Sequence, residues 1–453
     1  MLYCAKDKYR ALRSLPTKRL RGESLSAREV ISIIEDELLG EGQARKNLAT
    51  FCQTVMEPEA RELISRTLEK NAIDKSEYPK TAELENACVN ILSRLWHAPG
   101  SEEYIGTSTV GSSEACMLAG MAMKFRWRNL ARERGRDVTG TRPNLVISSA
   151  YQVCWEKFCV YWDVELRSVP ISSEHMTLDA AAAMERVDEN TIGIVGILGV
   201  TYTGMYDNIQ ELDNAVGRYN ASHEHQLVIH IDGASGGLYA PFISPDLKWD
   251  FQLPNVVSIS TSGHKYGLVY PGIGWVLWRD RRYLPEELIF EVDYLGGKMP
   301  TMAINFSRSA SQIIAQYYNY LRFGYEGYEE IHRQTRDKAL QISEALAQME
   351  DFEVLHKGYD LPVLCYTLRE DPARIWTLYD LSDRLMMKGW QVPAYPLPAD
   401  REDVIVQRVV CRADFSQRMC TNFLEDFRNA VAELREANVT FHAGRHDSYG
   451  YTH

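Results

Sequence analysis

A chain of 453 residues is long enough for two or three domains, and its 45% hydrophobic and 25% charged content is that of a globular protein able to bury a large core. The formal net charge of −12 argues against nucleic acid or an acidic membrane as the main partner, but not against a small anion held by a local cluster of Arg and Lys. No apolar run approaches the ~20 residues needed to span a bilayer. The nine cysteines are odd in number and form no C-x-x-C pair, so free thiols in a reducing, cytoplasmic setting are expected, with no metal centre.

The chain opens on a basic stretch, with Lys6, Lys8, Arg10, Arg13, Lys18, Arg19 and Arg21 against Asp7 alone. It reads as a solvated or subunit-docking arm, a targeting peptide being the alternative. Ser26 and Glu29 then form an S-x-x-E capping box, and Val30, Ile33, Ile34 and Leu38 share one face of the helix that follows. From about residue 85 to 280 helical segments alternate with short apolar strands. A Gly/Ser-rich turn spans 106–113 and opens a helix over 114–134. Strands are expected at Asn144–Ser148, Ile192–Val200, Leu227–Asp232, Val256–Thr261 and Gly274–Trp278. Their near-continuous apolarity suits strands buried on both faces, and the intervening helices imply crossovers and a mostly parallel sheet. Long helices are expected from Ser307 to about Asp337. Shorter strands (Phe352–Leu355, Pro362–Leu368, Val404–Cys411) and helices near 375–388 and 416–436 then suggest a smaller α+β domain. The organisation expected is an arm and helix over 1–46, a large domain over 47–329, a small domain over 330–442 and a flexible tail over 443–453.

Three pieces carry chemistry. The strand Val256–Thr261 runs into Ser262-Gly263-His264-Lys265-Tyr266-Gly267. A lysine just past a buried strand is partly desolvated, which favours the neutral amine that forms an imine with an aldehyde. Ser262 and His264 can donate to a phosphate. The strand Leu227–Asp232 ends in Gly233-Ala234-Ser235-Gly236-Gly237. An Asp at the carboxyl end of such a strand lies where ligands bind in open α/β sheets, and a carboxylate there can keep a pyridine nitrogen protonated. Lastly, Ser112 and Ser113 add hydroxyls to a helix start, a natural anion site. Each piece alone has a bland reading: a surface loop, a helix cap, an ordinary N-terminus.

Together they closely resemble glutamate decarboxylases of the bacterial and plant type, which are pyridoxal-phosphate (PLP) enzymes of fold-type I. The resemblance runs from about Arg45 to Asp426, through Asn47-Leu48-Ala49-Thr50-Phe51-Cys52, Gly111-Ser112-Ser113-Glu114-Ala115, His230-Ile231-Asp232-Gly233-Ala234-Ser235-Gly236-Gly237, Ser262-Gly263-His264-Lys265-Tyr266-Gly267 and Asn305-Phe306-Ser307-Arg308. It implies that Lys265 is the imine lysine, that Asp232 pairs with the pyridine nitrogen, and that Ser112, Ser113, Ser262 and His264 hold the phosphate. Ser307 would reach the phosphate of a neighbouring subunit. Gln152 and Ala234 would cover the two ring faces, with Thr201 near the ring oxygen. Arg412 would bind the substrate α-carboxylate, and Thr50, Phe51 and Asp74 would form the pocket for the distal carboxylate. L-Glutamate would lose CO2 and take up a proton. Asp74 beside a carboxylate is a like-charge pair, so a rate falling above about pH 6 is expected. The resemblance also implies a homo-oligomer with a dimer as catalytic unit, hexamers being common. No calmodulin-binding tail of the kind carried by plant members is expected. His453 is last in the chain, leaving open a gating tail or a disordered one. Another amino-acid decarboxylase on the same fold is the alternative reading, and a non-catalytic scaffold the more remote one.

Overall fold

The computed structural model describes residues 19–20, 22, 24–100, 104–292 and 299–436. Lys6–Lys18 and Arg21 of the basic stretch, and the tail over 443–453, lie outside the described residues. Two compact units, Met1–Gln43 and Ala44–His453, divide the chain. The first contains the helix Ala27–Leu38, started as expected: the Glu29 N–H donates to Ser26 Oγ at 3.3 Å, and the Ser26 N–H donates to the Glu29 carboxylate at 2.9 Å.

The second unit is built on a seven-stranded sheet: β1 (Ile105–Thr109), β2 (Asn144–Ser148), β3 (Glu165–Val169), β4 (Thr191–Ile197), β5 (Ile229–Asp232), β6 (Val256–Thr261) and β7 (Gly274–Trp278). Their spatial order is β1-β7-β6-β5-β4-β2-β3. β7 pairs antiparallel with both β6 and β1 and every other pairing is parallel, so β7 alone is reversed. This is the fold-type I architecture. Alternate side chains feed two apolar cores. Val146, Ile194, Ile229, Ile231 and Ile259 point into one, and Leu145, Ile147, Val195, Val228 and Val257 into the other. Burial on both faces is why these strands read as continuous apolar runs.

Two strands of this sheet are additional to those expected, while β4 stops at Ile197 and β5 starts at Ile229, inside the expected runs. Residues 105–109 form β1, so only Val110 and Gly111 turn before the helix Ser112–Glu133. β3 is an edge strand whose residues are mostly half-buried, a pattern too weak to read. Beyond β7, one helical run, Ser311–Ala347, is broken at Gly324 (φ 57°, ψ −168°). It leads into a four-stranded antiparallel sheet of β10 (Phe352–His356), β11 (Val363–Leu368), β12 (Ala394–Pro396) and β13 (Ile405–Val410), after the β8–β9 hairpin pair Phe290–Val292 and Met299–Thr301. The helices Leu378–Met387 and Gln417–Glu436 cover this sheet. Residues 47–48 also join it: the Leu48 N–H donates to the Gln391 carbonyl at 3.0 Å, and the Val410 N–H to the Leu48 carbonyl at 2.9 Å.

Candidate active site

The site lies where β4, β5 and β6 end side by side, with Ile197 opposite Asp232 and Asp232 opposite Ser260. Asp232 is buried. Its Oδ2 accepts from the Trp155 indole N–H at 2.8 Å and its Oδ1 from the Ala234 N–H at 3.1 Å. The Ala234 carbonyl in turn accepts from the Ser262 N–H at 3.1 Å, which ties the turn after β5 to the turn after β6. Close approach explains the glycines between them: a Cβ on Gly236 would lie 2.4 Å from the Leu198 carbonyl oxygen.

Lys265 follows β6 in a tight turn, its N–H bonded to the Ser262 carbonyl at 3.2 Å. Its Nζ donates to Ser235 Oγ at 3.1 Å and stands 5.1 Å from the centre of the Phe51 ring. Burial pushes the Lys265 amine below its ordinary range, and Arg408 adds to this, while Asp232 pulls the other way. The neutral amine is thereby brought within easier reach.

On the neighbouring flank, Ser262 Oγ donates to Ser112 Oγ at 2.7 Å. Ser112 opens its helix behind Gly111, with no side-chain cap on the first N–H groups. His264 lies against Gly111, where an added Cβ would come within 3.1 Å of its ring. Burial and the adjacent Lys265 push the His264 imidazole down to about 4, so it is neutral through the physiological range. Its Nδ1 accepts from the Ile273 N–H at 3.4 Å, assigning the ring proton to Nε2. Uncapped helix N–H groups, two serine hydroxyls and a neutral imidazole donor fit a phosphate. A desolvated lysine and a buried carboxylate nearby fit the aldehyde and pyridine nitrogen of PLP.

The other expected residues divide. Phe51 borders Lys265, and next to it in the chain the Thr50 Oγ1 accepts from the Cys52 N–H at 3.2 Å. Gln152 is exposed and caps the following helix through the Cys154 N–H at 2.6 Å. Ser113 is exposed in the first turn of its helix. Thr201 offers its carbonyl to Arg408. Asp74 and Ser307 belong to a different neighbourhood, in which Asn71 Nδ2 donates to Ser307 Oγ at 3.4 Å and the Ala72 N–H to the Arg308 carbonyl at 2.9 Å. The Asp74 carboxylate there accepts from the Glu77 N–H at 3.1 Å.

Arg412 requires a correction. Its guanidinium is buried and spent: Nε donates to Asp414 at 3.1 Å, Nη1 to the carbonyls of Asn47 and Thr50 at 2.6 and 2.9 Å, and Nη2 to the Ala44 carbonyl at 3.2 Å. Such an arginine clamps the 44–50 segment and has no face left for a ligand. Arg408, which the sequence reading passed over, is the arginine at the site. It stands 4.6 Å from the centre of the Phe51 ring, its like charge helps to lower the Lys265 amine, and its bonds to the carbonyls of Thr201 and Ala49 leave other N–H donors available. The available signal was a charged residue inside the apolar strand Val404-Ile405-Val406-Gln407-Arg408-Val409-Val410.

Comparison with known proteins agrees with this geometry. Residues 26–369 match the pyridoxal-dependent decarboxylase conserved domain. A probable glutamate decarboxylase gamma of Listeria innocua is 62% identical over 441 residues, covering 97% of this chain and 94% of that protein. A glutamate decarboxylase of Lactococcus lactis subsp. cremoris is 58% identical over 440 residues, covering 97% and 94%. The solved glutamate decarboxylase of Lactobacillus brevis superposes with a TM-score of 0.92 at 57% identity, covering 95% of this chain and 98% of that one. The chain is thus a pyridoxal-phosphate-dependent decarboxylase of fold-type I. It belongs, within that family, to the glutamate decarboxylases. Among the described residues no helix is long and apolar enough to cross a membrane.

Proposed function

We propose that this chain removes the α-carboxyl group of L-glutamate, giving 4-aminobutyrate and CO2 with uptake of one proton, and that Lys265 carries the PLP. The observation that bears most weight is the setting of Lys265, beside the Phe51 ring and within the fields of Asp232 and Arg408, in a chain 62% identical to a probable glutamate decarboxylase over nearly its whole length.

Bound on Lys265, the cofactor supplies a protonated pyridine ring that accepts the electron pair left at Cα when CO2 departs. The protein's own residues do the rest. Asp232 holds the ring nitrogen protonated. Ser112, Ser113, Ser262 and His264 donate to the phosphate, with Ser307 contributed by a second copy. Ala234 and Gln152 would cover the two faces of the cofactor, and Thr201 would lie near its ring oxygen. Arg408 takes the α-carboxylate role first expected of Arg412, and so orients the bond to be broken. Thr50 and Phe51 wall the distal end, where Asp74 of a second copy meets the distal carboxylate. Protonation of one of that pair in mild acid relieves their repulsion. Lys265 Nζ, when free of the cofactor, would deliver to Cα the one proton taken up from solvent.

We further infer a homo-oligomer, dimer or hexamer, with a dimer as its catalytic unit, a cytoplasmic location, and a division into a large domain over 47–329 and a small one over 330–442. The test is product analysis. Reconstituted protein given L-glutamate or L-aspartate should yield 4-aminobutyrate from glutamate and no amine from aspartate. A visible cofactor band without 4-aminobutyrate would discard the substrate.

A further inference from the structure

Behind Asp232 lies a support that the mechanism above does not use. Among the described residues two groups donate to its carboxylate. One is the Ala234 backbone N–H at 3.1 Å, which any residue but proline would supply there. The other is the Trp155 indole N–H at 2.8 Å, which depends on one side chain. Trp155 is fully buried in the first turn of the helix Cys154–Tyr161. Phe158 meets its ring edge-on at 6.0 Å, and His230 packs against it at 5.3 Å. His230 stands two residues before Asp232 on β5, on the same face of the strand. Both of its ring nitrogens are engaged, by Ser258 Oγ at 2.8 Å and Ser260 Oγ at 3.1 Å. Burial pushes this imidazole down to about 3, so it lends shape to the Trp155 site and no charge. The remaining neighbours are the thiols of Cys116 and Cys154, which lie within 4.8 Å of an Asp232 oxygen and are weak donors.

We propose that Trp155 is a positioning residue. Its indole N–H fixes the Asp232 carboxylate in the orientation that would meet the pyridine nitrogen. The inference rests on the reading of Asp232 given above. Without that donor the carboxylate keeps only the Ala234 N–H and is free to turn away from the place of the ring nitrogen. The ring is then held less tightly and withdraws electrons less well. Because Trp155 acts behind Asp232 and not on the substrate, kcat falls while KM for glutamate stays near its original value.

The test is Trp155→Phe, which keeps an aromatic ring and loses the N–H. In reconstituted protein the dissociation constant for PLP should rise about ten-fold and kcat fall about ten-fold, as for the loss of one hydrogen bond to a charged group. The pH at which the visible cofactor band changes should also move. A folded variant with the original dissociation constant and the original band overturns the proposal, whatever its turnover. If Trp155→Phe does not fold, benzothienylalanine at 155, with sulfur in place of N–H, decides by the same readouts. Asp232→Asn, measured in parallel, separates the two readings. Unimpaired cofactor binding in Asp232→Asn sinks the reading of Asp232 itself. Lost binding there beside an unaffected Trp155 variant sinks only the role of Trp155.

Discussion

Two regions of this molecule carry residues expected to serve one reaction, and they are built differently. Around Lys265, three strand ends, a helix start and the 50–51 segment converge, and side chains interlock: Lys265 on Ser235, Ser262 on Ser112, Trp155 on Asp232. Around Asp74 and Ser307, two segments pair with each other instead, Ala310 N–H to Lys70 carbonyl at 2.8 Å and Ala72 N–H to Arg308 carbonyl at 2.9 Å. This second region is held from below by Arg308, which donates to the Ser108 carbonyl at 3.0 Å, and by the Glu114 carboxylate, which accepts from the Ile304 N–H at 2.8 Å. Ile304, Phe306 and Ser307 themselves stay exposed. A prepared surface that presents a serine and two apolar side chains outward suits completion of a partner's site.

Substitutions can break this contrast at several depths. The largest effect is expected from Lys265→Ala, which removes the cofactor's anchor and the proton carrier together. Turnover should vanish while the thermal midpoint changes little, because one hydrogen bond and a desolvated amine are lost. Normal kinetics in that variant would remove Lys265 from the reaction. Next come the two arginines. Arg408→Ala should cut kcat/KM about a hundred-fold or more, since the side chain both binds and orients, in a protein that still folds. Arg412→Ala should instead leave Asp414 buried without its partner, a loss of about 3–5 kcal/mol seen as a lowered thermal midpoint. The reverse pattern would restore Arg412 to the site.

A smaller effect is expected from pH. Burial pushes His230 and His332 down to about 3 and His264 to about 4, against 6.5 unfolded. Above the unfolded value both states are neutral and these residues contribute no pH dependence. As pH falls below it the unfolded chain binds protons that the folded chain refuses, so stability declines. Asp207, pushed up to about 6 by burial, works the other way, since the folded state protonates it first. With three groups against one, the thermal midpoint of the apoprotein should fall steadily from pH 6.5 toward 4. A midpoint that rises over that range would contradict these environments.

The same contrast explains how much could be read in advance. β2, β6 and β7 fall where the apolar runs place them, because burial on both faces puts apolar residues at successive positions, as in Leu145-Val146-Ile147 and Trp275-Val276-Leu277. β1 reads in the sequence as part of a Gly/Ser-rich turn. It is an edge strand made of Ile-Gly-Thr-Ser-Thr, and a Cβ on its Gly106 would sit 2.8 Å from the Val276 carbonyl oxygen, so the glycine serves close strand pairing. Lys265 and Asp232 were legible because each stands at the end of a buried strand with small residues beside it. Arg408 was not, because its place depends on β13 lying next to the 49–51 segment, a contact between residues more than three hundred positions apart. Trp155 was hidden for the same reason: its partner Asp232 lies 77 positions away.

The claim that the two regions serve one site across two copies has a direct measurement. Lys265→Ala and Asp74→Asn chains, each inactive or nearly so by itself, are unfolded, mixed in equal amounts and refolded with PLP. Half of the dimers are then mixed, and each mixed dimer has one site with both residues intact, so about a quarter of the original 4-aminobutyrate production should return. Activity no higher than the sum of the two separate variants would place Asp74 and Lys265 in the same chain's site and contradict the account.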